Sequence, residues 1–323
     1  MANLNSTSIT GSLKIGVTAN TGSTGNLWFN TTTNKLNLSY CYNNFLWVSR
    51  TSMITARSYL AGVGTQTTAL GFGGQVSPSV VSCTEAYNGT SWSAGGAMIT
   101  ARFGLAGAGT QNTALGFGGS SGSGPISTTE GYNGISWSSR ANMIVSKFVS
   151  GGAGTNTAAL AFGGYSPAGI SLCTITYDGT SWTSGGNMIT ARAALAGAGT
   201  NTAALAFGGY RNSPTVSTLS CTETYNGTSW SSGGNLITAR CALAGSGTNT
   251  AALAFGGKSP YLACTETYNG SSWSAGINLT TARGFLGGAG TNTAALAFGG
   301  NNGSGVSCTE TYNCYNQIFV CSI

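Results

Sequence analysis

The chain has 323 residues, of which 6% are charged and 41% are apolar, and its formal net charge is +6. Its Lys and Arg residues are scattered, so it lacks the clustered basic surface typical of nucleic-acid-binding proteins. No stretch approaches the roughly 18 apolar residues of a membrane helix, and the first residues do not resemble a signal peptide. We therefore expect a soluble all-β protein that is made in the cytoplasm, with no membrane insertion and no nucleic-acid partner.

The first 48 residues differ from the rest of the chain. Residues 13–17, 26–30, 35–40 and 45–48 are predicted to be short strands, because they are apolar stretches separated by Asn- and Thr-rich turns. We expect residues 1–48 to be an attachment or closure segment. Residues 49–323 are then expected to form a repeat domain.

From residue 49 onward, one phrase of about 45 residues occurs six times. Ten positions separate each Trp from the Arg or Lys that recurs in every copy, and seventeen separate that residue from the second Gly of a Gly-Gly pair. Length varies only in the loop after this pair. A repeat of this period indicates a propeller or a solenoid, because one copy cannot bury its own apolar face.

Each copy is predicted to contain four strands, at residues 194–198, 203–207, 221–225 and 228–230 in the clearest copy. The Asn-Gly dipeptide between the last two strands predicts a hairpin turn with positive φ at both positions. The same dipeptide creates apparent glycosylation sequons, which we interpret as turns. These sequons begin at Asn88, Asn226 and Asn269.

The order of landmarks resembles the kelch repeat, which has a Gly-Gly pair, a Tyr, a Trp and then an Arg. The resemblance covers residues 47–312 and implies a six-bladed β-propeller with four antiparallel strands per blade. The last copy has no Trp after Tyr312. We therefore predict that the strand around Trp47 completes the sixth blade, so that amino- and carboxyl-terminal segments close the ring. The alternative is that residues 315–320 supply this strand.

The amino-terminal segment gives the only indication of biological context. Residues 25–36, Gly-Asn-Leu-Trp-Phe-Asn-Thr-Thr-Thr-Asn-Lys-Leu, and the following Tyr-Asn-Asn-Phe-Leu-Trp-Val of residues 42–48 are similar to a short β element of bacteriophage tail-fibre and related structural proteins. This resemblance implies a virion structural protein that is made in the host cytoplasm and carried in the virion.

The sequence contains little that could carry out chemistry. It has no His, so the usual general base, the commonest metal ligand and the Ser-His and Cys-His nucleophile arrangements are missing. Copper chemistry of the galactose-oxidase type, which also uses a kelch propeller, depends on His ligands. We expect no enzyme activity, no cofactor and no metal.

A basic and an acidic position recur together in five copies, and we predict that they form structural ion pairs. In the third copy Lys147 and Ile175 take the two positions. As an alternative, Arg, Glu and Trp could line sugar pockets between blades, as in some propeller lectins. The predicted pairs combine Arg57, Arg102, Arg192, Arg240 and Arg283 with Glu85, Glu130, Glu223, Glu266 and Glu310.

Five of the nine Cys residues share one repeat position, four residues before the Tyr. Equivalent positions of successive blades are too far apart for a disulfide, so we interpret these residues as small buried side chains. A disulfide between Cys41 and either Cys314 or Cys321 is left open.

The variable loops are the predicted binding surface, because repeat proteins carry recognition where the scaffold leaves the sequence free. We expect a virion structural or adhesin protein that contacts a host-surface glycan or another virion protein. A multivalent lectin and an intracellular kelch interaction module are the alternatives, and homo-oligomerisation is left open. The candidate contact residues are Tyr165, Tyr210, Arg211, Lys258 and Tyr261.

Overall fold

The computed structural model describes the backbone of residues 25–30, 35–212 and 217–322, and the side chains of residues 45–212 and 217–313. The strand predicted at residues 13–17 lies outside these ranges. The chain divides into two compact units. One contains Met1–Leu46 with Cys314–Ile323, and the other is Trp47–Asn313.

Unit Trp47–Asn313 is a six-bladed β-propeller, as predicted, and the described ranges contain no helix. Each blade is a four-stranded antiparallel sheet whose strands follow the chain from the axis outward. The strands of blades 1 to 3 are Ala61–Gly64, Ala69–Phe72, Thr84–Tyr87 and Trp92–Ala94; Ala106–Gly109, Ala114–Phe117, Thr129–Tyr132 and Trp137–Arg140; and Gly151–Gly154, Ala159–Phe162, Thr174–Tyr177 and Trp182–Ser184.

Blades 4 to 6 repeat this arrangement, and the sixth differs in the source of its outer strand. Blade 6 takes its third strand from the beginning of Thr309–Ser322 and its fourth from the end of Lys35–Arg50. The other strands are Ala196–Gly199, Ala204–Phe207, Thr222–Tyr225 and Trp230–Ser232 in blade 4; Ala244–Gly247, Ala252–Phe255, Thr265–Tyr268 and Trp273–Ala275 in blade 5; and Gly287–Gly290 and Ala294–Phe298 in blade 6.

The ring is closed by the strand around Trp47, and the predicted closure is confirmed. The Trp47 ring lies 5.1 Å from the Tyr312 ring, measured between centroids. The Arg50 Nε donates to Thr311 Oγ1 at 2.9 Å. The alternative that residues 315–320 form the fourth strand is wrong, because these residues continue the third strand.

The smaller unit contains paired strands. Gly25–Asn30 pairs antiparallel with the first part of Lys35–Arg50, from Gly25 opposite Tyr40 to Asn30 opposite Lys35. The predicted break between residues 40 and 45 is wrong, because one strand runs through it. The side chains that could form the terminal disulfide, Cys41, Cys314 and Cys321, lie outside the described side chains.

The tryptophans join neighbouring blades. The indole N–H of Trp230 in blade 4 donates to Thr174 Oγ1 in blade 3 at 2.9 Å. Its ring lies 5.0 Å from Phe162 of blade 3 and 5.0 Å from Tyr225 of its own blade. The same hydrogen bond occurs at all six joints, so the cycle is complete. The other five run from Trp47 to Thr265, Trp92 to Thr309, Trp137 to Thr84, Trp182 to Thr129 and Trp273 to Thr222.

The innermost strands alternate Gly with a small residue because they approach one another closely around the axis. A Cβ at Gly197 would lie 2.6 Å from the Gly152 carbonyl oxygen of the neighbouring blade and 2.6 Å from Phe162 Cζ. Real Cβ contacts are longer than this, so the position accepts only Gly. This spacing explains why the first strands are poor in large side chains.

Replacing Gly197 with Ala should therefore destabilise the propeller by about 1–3 kcal/mol, as expected for overpacking a dense core. Gly305→Ala is the matched control, because a Cβ there would meet its nearest atom at 3.6 Å. Urea denaturation of both variants measures the difference. Equal stabilities would show that the inner strands are less tightly packed than described.

The hairpin between the third and fourth strands is longer than predicted. Tyr225 pairs with Trp230, so four residues form the turn and the fourth strand begins at the Trp. Asn226 Oδ1 accepts hydrogen bonds from the backbone N–H groups of Thr228 and Ser229, at 3.0 and 2.9 Å. Gly227 has positive φ, whereas Asn226 does not. The Asn side chain acts as a turn cap, which is the Asx-turn geometry.

Candidate functional site

The variable loops and the segments that join successive blades open on one face, which we call the loop face. In blade 1, Phe72 ends the second strand opposite both Ala61, which begins the first strand, and Thr84, which begins the third. The chain therefore enters and leaves these strands on the same side. The shorter strand-to-strand turns lie on the opposite face.

The five basic and acidic residues that recur together form buried ion pairs. Arg192 Nη2 lies 3.2 Å from Glu223 Oε1, and the carboxylate also accepts the backbone N–H groups of Ile189 and Thr190 at 2.8 and 3.1 Å. The pair thus fastens the segment that enters a blade to that blade's third strand. The other pairs are Arg57–Glu85, Arg102–Glu130, Arg240–Glu266 and Arg283–Glu310.

Blade 3 replaces this pair with a single buried lysine. Lys147 Nζ donates to the carbonyl oxygens of Gly163 at 2.8 Å and Cys173 at 2.9 Å. Ile175, where the other blades have Glu, is fully buried. Burial lowers the pKa of Lys147 because the charged ammonium loses hydration.

The repeated Arg, Glu and Trp residues do not form open sugar pockets between the blades. The Arg residues are 0% exposed, the Glu residues at most 2% and the Trp residues at most 7%. The Glu carboxylates and the indole N–H groups are hydrogen-bonded within the scaffold, whereas the Nε groups of the five Arg residues are buried without a hydrogen-bond partner. A glycan that binds this propeller must therefore use other side chains.

The five Cys residues at one repeat position are free and only partly buried. The interpretation of these residues as buried side chains is therefore wrong. Cys221 lies beside the buried ion pair of blade 4, with its Sγ 2.9 Å from Arg192 Nη1.

A closed ring of backbone hydrogen bonds surrounds the axis on the loop face. In each blade the residue two positions after the repeated Arg or Lys donates its N–H to the carbonyl of the equivalent residue in the preceding blade. We call these six residues the hub ring. The donor–acceptor pairs are Tyr59–Phe285, Gly104–Tyr59, Val149–Gly104, Ala194–Val149, Ala242–Ala194 and Phe285–Ala242, at 2.7 to 2.9 Å.

The hub ring holds its residues in the left-handed conformation. Its five non-glycine members have φ between 48° and 57°. This conformation costs about 1–2 kcal/mol per non-glycine residue, and Gly104 shows that glycine satisfies the same geometry. Strain of this kind often marks functional sites. Five hub-ring residues therefore carry side chains at positions whose backbone conformation would favour Gly.

Four aromatic rings gather above the hub ring, and with Lys258 and Tyr261 they define what we call the axial pole. Tyr59 stacks on Phe285 with centroids 3.8 Å apart and planes at 21°. Tyr59 also meets Phe103 edge-on at 5.6 Å, and Phe103 meets Phe148 at 5.1 Å. All four rings are partly exposed. The axial pole is thus an aromatic platform at the centre of the loop face.

Polar groups line one side of the axial pole. Lys258 Nζ lies 5.5 Å from the Tyr261 ring centroid and 5.9 Å from that of Phe285, within cation–π range. The Tyr261 hydroxyl donates to Asn301 Oδ1. Burial raises the pKa of Tyr59 to about 12, and the nearby Tyr261, Tyr210 and Cys241 side chains add to the shift.

The Tyr59 shift predicts a specific pH dependence. The unfolded chain loses the Tyr59 proton near pH 10, whereas the folded chain keeps it until about pH 12. The contribution of protonated Tyr59 to the free energy of unfolding is therefore fully present below pH 10 and is lost as the pH rises from 10 to about 12. Tyrosinate formation is followed by ultraviolet absorbance in the wild type and in Tyr59→Phe. Subtracting the curve of the variant from that of the wild type isolates the titration of Tyr59. A difference curve centred near pH 10 would contradict the buried placement.

The structure brings most of the candidate contact residues to the axial pole. Lys258 and Tyr261 belong to it, and Tyr210 is near enough to influence the Tyr59 hydroxyl. Tyr165 forms a β-bridge with Phe148. Arg211 lies apart, in a cleft of about 570 Å³ between the loops of blades 3 and 4, and Tyr165 also borders this cleft.

Four aromatic members of the axial pole, Tyr59, Phe103, Phe148 and Phe285, were not predicted from the sequence. They occupy the two positions directly after the repeated basic residue. The segment that contains these positions has the same length in every copy, but the residue types at the two positions differ between copies. The first of these positions bridges to the first loop residue, as Cys241 does to Lys258 and Ala193 to Tyr210. Variation at those two positions was therefore the signal to follow.

A second unpredicted feature is a set of exposed isoleucines on the joining segments. Each follows a buried Met or Leu, and five of the six joining segments carry one. They add apolar surface to the loop face outside the axial pole. They are Ile54, Ile99, Ile144, Ile189 and Ile237, which are 53–61% exposed.

The exposed charge on the loop face is positive. Five of the six acidic residues are buried in ion pairs, and Asp178 lies in the turn between Tyr177 and Trp182, on the opposite face. Lys258 and Arg211 are exposed on the loop face. Where its side chains are described, this face has no exposed carboxylate, so its field favours anions.

Among the described side chains, no group of three or more His, Cys, Asp or Glu could hold a metal ion. No helix in the described ranges is long and apolar enough to cross a membrane. Comparison with models of protein families gave no match, and comparison with curated proteins gave none either.

Proposed function

We propose that this chain is a non-enzymatic virion protein, a tail-fibre or adhesin component that uses its loop face to recognise a host-surface glycan or another virion protein. One observation carries the proposal. The repeated landmarks are buried in the scaffold, whereas the side chains that vary from copy to copy converge on the axial pole and the loops around it.

This arrangement suits recognition for physical reasons. Binding sites are commonly variable loops held by a rigid scaffold, and they combine apolar surface with a few polar groups. The axial pole supplies partly exposed aromatic rings beside an ammonium group and tyrosine hydroxyls. Aromatic side chains add contact area at small entropic cost, since they have few rotatable bonds.

The virion context is supported by the amino-terminal segment. Residues 25–36 and 42–48 resemble a tail-fibre element, as noted above, and Gly25–Asn30 forms a hairpin with the following strand. The propeller closes with a strand from this end of the chain. We propose that the segment attaches the propeller to the particle.

Adsorption competition tests the proposal. Purified protein should reduce adsorption of a phage that carries this chain to its host, and antibodies against the propeller should label the particle. A protein absent from purified particles, with no effect on adsorption, would refute the proposal. A double variant, Tyr59→Gly with Lys258→Gln, should fold normally but compete poorly, because Gly104 and Gln75 naturally occupy the equivalent positions.

A protein partner is the second candidate, and the exposed isoleucines favour it. Large exposed apolar patches mark interaction sites, and these isoleucines recur at one position of five joining segments on the loop face. Replacing Ile99 and Ile144 with Thr, the residue that blade 6 has at this position, should then weaken assembly with the partner. Cross-linking within purified particles would identify that partner.

A further inference from the structure

We propose that the axial pole binds one carboxylated sugar, a uronic or sialic acid residue of a glycan. This inference rests on the proposed function and deepens it, because it names the site, the ligand class and the stoichiometry. Three independent features of the pole support it: the aromatic platform, the local charge and the asymmetry of the hub ring.

The aromatic platform fits the C–H face of a sugar ring. The faces of aromatic rings are electron-rich, so they attract the weakly positive C–H groups that line one side of a pyranose. Tyr59, Phe103 and Phe148 present partly exposed rings within 6.5 Å of one another. Phe285 stacks on Tyr59 with ring centroids 3.8 Å apart. The ring planes differ, since Phe103 stands at 89° to Tyr59 and at 73° to Phe148, so a sugar bound there would contact rings of different orientation.

The charge of the pole selects an acid. Lys258 Nζ lies at the edge of the platform, beside Phe285 and Tyr261. No exposed carboxylate accompanies it in the described part of the loop face, so a bound anion meets no repulsion there. A cationic ligand would face an unpaired like charge, which disfavours it.

Tyrosine hydroxyls complete the recognition of an acidic sugar. Tyr59 is protonated at neutral pH, as an ordinary tyrosine is, and burial raises its pKa further, to about 12, so its hydroxyl can donate a hydrogen bond. Tyr210 lies near it, and burial raises the pKa of Tyr210 as well. Neutral phenols beside an ammonium group offer donors to a carboxylate and to sugar hydroxyls.

The hub ring makes the site single and preorganised. Its positions in blades 2 to 5 carry Gly104, Val149, Ala194 and Ala242, so only blades 6 and 1 place an aromatic ring there. Backbone hydrogen bonds fix both of these residues, which reduces the entropy lost on binding. One ligand per propeller follows, in contrast to six pockets between blades.

Calorimetry with matched ligands tests the inference. A glycan array first compares carboxylated with neutral glycans. The calorimetric probes are then an oligogalacturonate, an oligosialic acid and, as the neutral analogue, the carboxyl-reduced oligogalacturonate. We expect binding of a carboxylated glycan at one site per chain. Lys258→Gln should weaken that binding at least about tenfold and leave the neutral analogue unchanged. Tyr59→Gly should weaken the binding of both the carboxylated glycan and its neutral analogue.

The controls separate the two proposals. Arg140→Gln removes the same charge from the exposed outer strand of blade 2 and should leave binding unchanged. Binding that survives Lys258→Gln and Tyr59→Gly but is lost with Arg211→Gln would place the ligand in the cleft between blades 3 and 4. This would overturn the inference and leave the proposed function standing. If no carboxylated glycan binds but the protein still competes for adsorption, the inference alone fails.

Discussion

Trp47→Ala should lower the free energy of unfolding of the propeller by about 3–5 kcal/mol, as loss of a large buried aromatic side chain does. Trp47 is 4% exposed and packs against Phe255 of blade 5 and Tyr312 of blade 6. Its indole N–H donates to Thr265 Oγ1 at 2.9 Å. It therefore forms one of the six inter-blade joints.

This joint differs from the other five in its connectivity. Blade 6 combines strands from the two ends of the propeller, so no hairpin turn joins its third strand to its fourth as in the other blades. Thermal and urea unfolding measure the loss. Trp47→Phe, which keeps an aromatic ring but removes the N–H, should cost less, although it leaves the buried Thr265 hydroxyl without this donor. Unchanged stability in Trp47→Ala would show that another segment closes the ring.

Glu223→Ile should destabilise the propeller by about 3–5 kcal/mol, because it leaves the Arg192 guanidinium buried without a counter-charge. Arg192 is 0% exposed, and Glu223 also accepts two backbone N–H groups of the joining segment. Both the uncompensated charge and the lost hydrogen bonds contribute. Urea denaturation measures the effect.

Blade 3 provides the matched control for this variant. The double variant Arg192→Lys with Glu223→Ile reproduces the natural combination of Lys147 and Ile175. A lysine can reach backbone carbonyl oxygens there, as Lys147 does at 2.8 and 2.9 Å. We therefore expect the double variant to recover much of the lost stability. A double variant less stable than Glu223→Ile would show that blade 3 depends on other compensating residues.

The repeat made much of the scaffold predictable. The Gly-Gly pair, Tyr and Trp serve the same contacts in every blade, so their spacing alone indicates blade boundaries. The absence of a Trp after Tyr312 indicated the source of the closing strand. The recurrence of Glu223 with Arg192, and the joint loss of both types in blade 3, indicated the ion pairs.

The axial pole was not predictable from the same phrase. Tyr59 and Phe285 are far apart in sequence and meet only because the ring closes. Their left-handed backbone follows from the hub ring, since neither residue type favours that conformation. The Asn226 turn was misread for a local reason, because its side chain caps a longer loop.

Electron cryomicroscopy of a phage that carries this chain tests the central claim most directly. We expect propeller density on the particle surface, with the loop face exposed and the axial pole available to the host. A propeller whose loop face is covered by another virion protein would contradict direct recognition of a host glycan. A particle that lacks the chain would contradict the proposed virion role itself.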